Sequence, residues 1–128
     1  MWVLSIYGFY SIACANEPDG TIDTNTVMVR SRLKKHLENL KNRFPALADA
    51  EILNWSNRDY RYRLIVPKTV WVEILKEMAE EQEWSNFKNE AASRQTQLGS
   101  AYIRALHDVW ETMYELQESD TPSRGSRH

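Results

Sequence analysis

The chain has 128 residues, a net charge of −2 and fourteen aromatic residues, five Trp, six Tyr and three Phe; that is apolar area for one core, in a length that suits one domain. The slight acidity argues against a general nucleic-acid or DNA binder and restricts any basic site to a local patch. Cys14 is the only cysteine, which excludes an intrachain disulfide and a thiolate metal cage within one subunit.

In chain order, the first segment imitates a secretory signal. Trp2 to Ala15 is apolar and Ala13-Cys14-Ala15 resembles a cleavage site, yet no Lys or Arg precedes Arg30, and Ser5, Tyr7 and Ser11 interrupt the run. We therefore read it as a buried strand and the protein as cytoplasmic, since no stretch approaches the ~20 apolar residues of a membrane span. Trp2, Leu4, Ile6, Tyr10, Ile12 and Cys14 share one parity, and Val3, Ser5, Tyr7, Phe9, Ser11 and Ala13 the other, with a bend expected at Gly8. Asn16 to Asn25, containing Pro18-Asp19-Gly20, reads as a loop, followed by a short strand Val27-Met28-Val29. Ser31 is the expected cap of a helix carrying Leu33, Leu37, Leu40 and Phe44 and ending before Pro45.

Glu51 to Trp55 and Tyr60 to Val66 read as a hairpin turning through Ser56-Asn57-Arg58-Asp59. Pro67 ends it, and Thr69 is the expected cap of a helix whose Trp71, Ile74, Leu75 and Met78 share a face. Ser85 is the expected cap of a short helix through Asn86-Phe87-Lys88, and Arg94 to Gly99 reads as a polar connection. Ser100 is the expected cap of a last helix with the stripe Tyr102, Ile103, Leu106, Val109, Trp110, Met113 and Leu116; spacing assigns Trp71, Trp110 and Tyr114 to the core. The pattern predicts an α+β fold over residues 1–117, an antiparallel sheet with helices packed on it as a ferredoxin-like variant, and a disordered polar tail over 118–128.

Charge is divided along the chain. Residues 21–69 hold ten Lys or Arg against five Asp or Glu, and residues 70–120 hold four against eleven. The basic part concentrates in Asp59-Tyr60-Arg61-Tyr62-Arg63, where strand alternation puts Arg61 and Arg63 on one face about 7 Å apart, with Tyr60, Tyr62, Leu64 and Val66 on the other. Guanidinium forks suit phosphate and carboxylate oxygens. With Tyr7 and Phe9 of the first strand on that face, they would form a platform able to stack a base and hold its phosphate. The competing structural reading is a solvated face, or ion pairs with the acidic half.

Arg30, Arg32, Lys34, Lys35, Lys41 and Arg43 form a second basic stretch, most of which fans around the polar side of a helix. Arg30, Arg32 and Ser31 differ, because a helix start favours an anion, although no glycine-rich phosphate loop accompanies them. Catalytic and metal signatures are sparse. His107 and Glu111 stand four apart beside Asp108, a spacing common on ordinary helices, and we expect no metal site and no catalytic set. Trp84 has no periodic partner and is read as covering the core edge or anchoring a partner.

Gly8-Phe9-Tyr10-Ser11, Val29-Arg30-Ser31-Arg32, Asp59-Tyr60-Arg61-Tyr62-Arg63, Val66-Pro67-Lys68 with Trp71, Asn86-Phe87-Lys88, and Ala105-Leu106-His107 with Val109-Trp110 and Met113 together resemble a family of short bacterial hypothetical proteins. The resemblance covers nearly the whole chain except the tail. It implies a compact domain, and the family carries no assigned activity. Trp84-Ser85 stands where the resemblance leads one to expect Tyr-Asp.

Two functional classes follow, with an enzyme third. The first is a noncatalytic domain, needing no cofactor, that binds an anionic small molecule, nucleotide, phosphate or single-stranded RNA through Arg61, Arg63, Arg30, Arg32 and Lys68, with Tyr7 or Phe9 stacking. The second is a protein-interaction, dimerisation or inhibitory module, binding a protein partner or another copy of itself through the acidic helices or a bare sheet face. The third is a hydrolase using His107 with Asp108 or Glu111.

Overall fold

The computed structural model describes residues 1–120, which fall into two compact units, Met1–Ser85 and a second that begins at Asn86. The protein is α+β, with a five-stranded antiparallel sheet carrying helices.

The first unit begins with β1 (Trp2–Leu4) and β2 (Phe9–Asn16), two strands where a single bent one was expected. The chain reverses because the Ser5 hydroxyl accepts the Tyr7 and Gly8 amides at 3.1 and 3.2 Å and donates to the Gly8 carbonyl at 2.9 Å. Pairing of Trp2 with Ser11 and Leu4 with Phe9 then puts residues of opposite sequence parity on one face. Gly8 has φ +150°, and a Cβ there would lie 2.3 Å from His36 Cγ. Only glycine fits this crossing.

β3 (Ile22–Ser31) is ten residues long rather than three, because the Pro18-Asp19-Gly20 turn is tight and the chain re-enters the sheet at once. Ser31 is consequently the buried end of a strand and not a helix cap. The helix that follows, α1 (Lys34–Arg43), stops before Pro45 as expected, and Pro45–Leu47 forms one 3-10 turn. β4 (Leu53–Asn54) and β5 (Tyr62–Pro67) make the expected hairpin in shortened form, and α2 (Lys68–Glu80) follows with Pro67, not Thr69, at its cap position. The strand order is β1-β2-β3-β5-β4, and the β-α-β-β-α run of the expected element order is β3-α1-β4-β5-α2.

Both α1 and α2 pack on β3 and β5. Tyr10, Ile12, Val27, Val29, Leu64 and Val66 supply the sheet side of the core, and Leu37, Leu40, Phe44, Leu47, Trp71 and Ile74 the opposing side. The other sheet face keeps Trp2, Leu4 and Ile65 exposed.

His36 is buried in this unit, with its Nδ1 accepting the Phe9 amide at 3.2 Å. Burial, and then the Lys35 ammonium, depress its imidazole from 6.5 to about 4. The unfolded chain binds the proton near pH 6.5 and the folded chain only near pH 4. Stability is therefore full above pH 6.5 and falls as pH drops through that window, by roughly 2 kcal/mol after allowance for solvent screening. Urea midpoints taken from pH 7 to pH 4 are expected to decline, and His36→Asn to decline less steeply. Parallel slopes would remove His36 as the cause.

The second unit is helical. Asn86, not Ser85, caps α3 (Phe87–Ser93), its side chain accepting the Asn89 amide at 3.0 Å. The expected connection contains α4 (Gln95–Leu98), and Gly99, with φ +85°, holds the cap position of α5 (Ser100–Ser119) in place of Ser100, which is its first helical residue. α3 and α4 pack on α5. Tyr102 and Leu106 are buried, whereas Val109, Trp110, Met113, Tyr114 and Leu116 are exposed, which corrects the assignment of Trp110 and Tyr114 to the core. α5 runs beyond the helices that pack on it in this unit, so periodicity persists where cover does not. The expected tail is helical at 118–119, and positions 121–128 lie outside the described residues.

Candidate functional site

The open face is organised by one transverse row. Trp2 pairs with Ser11, Ser11 with Arg30, Arg30 with Arg63 and Arg63 with Leu53, so five neighbouring strands each contribute one side chain to the same surface. Arg30 donates from Nη2 to Ser11 Oγ at 2.9 Å. Its guanidinium lies 5.0 Å from the centre of the Tyr60 ring, and Arg32 covers the same ring at 4.5 Å while bonding Asp59 at 3.2 Å. Phe9 closes on Tyr60 at 6.3 Å, and Trp2 meets Phe9 edge-on at 5.7 Å.

The other half of the row repeats the pattern. Arg63 stacks on Trp55 at 4.1 Å, and Arg58, from the hairpin turn, lies over that ring at 5.7 Å. Arg63 is only 5% exposed; Nη2 donates to the Tyr60 carbonyl at 2.9 Å, but Nε has no partner among the described residues. Burial, then the Arg30 charge, then the Arg58 charge, push the Arg63 pKa down. Among the described residues Arg63 forms no ion pair; the salt bridge at this band is Arg32–Asp59, between exposed side chains. The result is a band of arginine and aromatic side chains, Arg32, Tyr60, Arg30, Arg63, Trp55, Arg58, in which like charges converge. Buried charge of this kind is costly unless something neutralises it.

The structure thus joins Arg30, Arg32, Arg63 and Phe9 of the residues singled out from sequence and separates the others. Arg61 does not stand beside Arg63 as a matched fork: its Nε donates to Asn54 at 3.1 Å and its guanidinium lies 5.4 Å from the Tyr62 ring. Lys68 begins α2, five residues along the chain from Arg63 and beyond the far end of β5. Tyr7 is buried in the Ser5–Gly8 turn, where its hydroxyl donates to Glu81, a carboxylate also held by Arg43 at 2.7 Å. Burial, and then the Glu81 bond, push the Tyr7 pKa up to about 12. It is not a stacking residue. Ser31 offers no phosphate seat either, because its hydroxyl donates to the Phe9 carbonyl and accepts the Leu33 amide.

Tyr60, Trp55, Arg58 and Trp2 were not singled out as binding residues. Tyr60 precedes β5, so alternation does not govern it, and it turns to the open face. Trp55 and Arg58 carry a local signal, an aromatic and an Arg residue flanking a short turn. On α5, His107 and Glu111 are 3.9 Å apart and both exposed, with His107 stacked on Trp110 at 6.0 Å. Among the described residues no cluster of three or more His, Cys, Asp or Glu could hold a metal ion, and no helix is long and apolar enough to cross a membrane.

These features define an α+β unit with an arginine and aromatic open sheet face. No protein-family profile, curated protein or solved structure matches the chain.

Proposed function

We propose that this protein is a noncatalytic binding domain that holds a phosphate-bearing anion, a nucleotide, phosphate or single-stranded RNA, on the open sheet face. The observation that carries the proposal is the convergence of Arg30, Arg58 and the buried Arg63, with no carboxylate on Arg63 among the described residues. An anion would relieve their mutual repulsion, and guanidinium groups supply charge-assisted bonds of the required geometry. The remaining polar capacity belongs to Arg32 and Arg58, which are exposed, and to the half-buried Arg30. We assign the protein to the cytoplasm, where a lone thiol such as Cys14 stays reduced. Calorimetric titration with pyrophosphate and with adenosine monophosphate at low salt should show binding that weakens as salt rises and is about tenfold or more weaker in Arg63→Met. Absence of heat with both ligands at low salt would overturn the proposal.

A second reading, an association module, is favoured by α5. Tyr102, Leu106, Val109, Met113 and Leu116 recur at spacings of four and three, so they lie along one seam, while Asp108, Glu111, Glu115 and Glu118 lie on the opposite side. The first two seam residues are buried and the last three are exposed. A second copy pairing along this uncharged seam would keep the acids in solvent. Sedimentation equilibrium should then show a concentration-dependent mass that Met113→Glu abolishes, and an invariant monomer mass would exclude this reading.

A further inference from the structure

The exposed rings on the open face sit at its two opposite edges. Trp2 is on β1 and 69% exposed; Trp55 directly follows β4 and is 39% exposed. Four strand steps separate those edges, roughly 19 Å at the spacing of hydrogen-bonded strands. The guanidinium groups of Arg30 and Arg63 lie between them in the same transverse row. Tyr60, the ring at the middle of the band, is buried under Arg30 and Arg32 and is closed to a ligand.

A mononucleotide carries one base and one phosphate cluster, so it can occupy one tryptophan and the adjoining arginines but cannot reach the second ring. Inorganic phosphate uses neither ring. A flexible strand of several nucleotides satisfies all of these groups at once, since each phosphodiester brings one negative charge and each unpaired base one stacking face. At the β4 edge, a shallow hollow lined by Asn54, Trp55, Ser56, Asn57 and Arg58 adds two side-chain amides beside the ring. Amides of this kind can hydrogen-bond the edge of a base stacked on Trp55. A duplex keeps its bases stacked on one another and presents none of them to either tryptophan.

We infer that the ligand of this face is a single-stranded nucleic acid of several nucleotides, lying across the strands with its backbone over Arg30 and Arg58, the buried Arg63 adding its charge from beneath, and a base on each of Trp2 and Trp55. This rests on the anion-binding reading above and names its substrate class. Because the contacts are to phosphates and ring faces, sequence preference is weak along the path and arises at the Asn54–Arg58 end.

The test is fluorescence anisotropy of the full chain with end-labelled single-stranded RNA of two, four, six and eight nucleotides, together with an eight-base-pair duplex and unlabelled adenosine monophosphate as competitor. Affinity is expected to rise at least tenfold between two and six nucleotides and to be weaker for the duplex than for the eight-nucleotide strand. Trp2→Ala, at an exposed edge position, should lower the six-nucleotide affinity about tenfold, the effect of one lost stacking contact, and leave binding of pyrophosphate, which uses neither ring, within about twofold. Length-independent affinity, equal binding of duplex, or an unchanged Trp2→Ala would overturn the inference while the anion site stands, provided pyrophosphate still binds. If neither RNA nor pyrophosphate binds, the anion reading itself falls.

Discussion

Arg63→Met is expected to weaken anion binding about tenfold to hundredfold without unfolding the protein. Arg63 is only 5% exposed and its Nε lacks a partner among the described residues, so the fold bears a desolvation cost that methionine removes. Against that gain stand the bond to the Tyr60 carbonyl and the stack on Trp55, each contributing about 1 kcal/mol. The opposing terms are of similar size, and the melting temperature should stay within a few degrees of wild type. Binding is another matter. Loss of one charge-assisted contact corresponds to roughly a tenfold to hundredfold weaker anion affinity. A variant that melts far below wild type would make Arg63 a structural residue, and one that binds pyrophosphate normally would remove it from the site.

Gly8→Ala is expected to be the most damaging single methyl group added to this chain. Two costs coincide at Gly8: φ of +150° is disfavoured for any residue with a side chain, and the new Cβ would sit 2.3 Å from the ring of buried His36. Neither group can yield easily. The Ser5–Gly8 bonds fix the turn, and the Phe9 amide together with a bond from the Tyr10 hydroxyl to the His36 carbonyl fixes the helix position opposite. A loss of roughly 3 kcal/mol or more follows, which would lower the melting temperature by at least about 12 °C in a unit of this size. Circular dichroism melts of Gly8→Ala, His36→Ala and the double variant test the cause, because the double variant should lose less than the sum of the single losses. Strict additivity would mean that the clash with His36 contributes nothing.

Much of the architecture could be read from residue pattern. The helix before Pro45, the Arg-bearing hairpin and the start of the last helix after Gly99 rest on local signals, a proline, a turn run and a glycine, that tertiary packing had no reason to override. The first strand was misread because its alternation is continuous through Gly8. Period alone cannot distinguish a bend from a reversal, and the decisive bonds come from Ser5, a residue compatible with either. β3 was underestimated since Asp23 to Thr26 is polar; Ile22 and Asp23 pair with β2, and Thr26 with β5, near the sheet end, where no core demands apolar side chains. At the candidate site, alternation selected Arg63 correctly for the open face but could not show its burial, because burial depends on Trp55 and Arg58 folding back from a turn. The same rule misplaced Tyr60 and wrongly paired Arg61 with Arg63. Trp110 and Tyr114 show the converse limit, since a helix can carry an apolar stripe beyond the neighbours that would cover it.

The most direct test of an arginine-centred anion site is to follow the side-chain Nε–H resonances of arginine and the indole N–H resonances of tryptophan during a pyrophosphate titration of nitrogen-15-labelled protein. The buried Arg63 Nε–H is shielded from solvent and should exchange slowly enough to be seen. It is expected to shift progressively and saturably, together with Arg30, Arg58 and the Trp55 indole. Shifts confined to the lysines and arginines of α1, with Arg63 and Trp55 unmoved at saturation, would contradict the account.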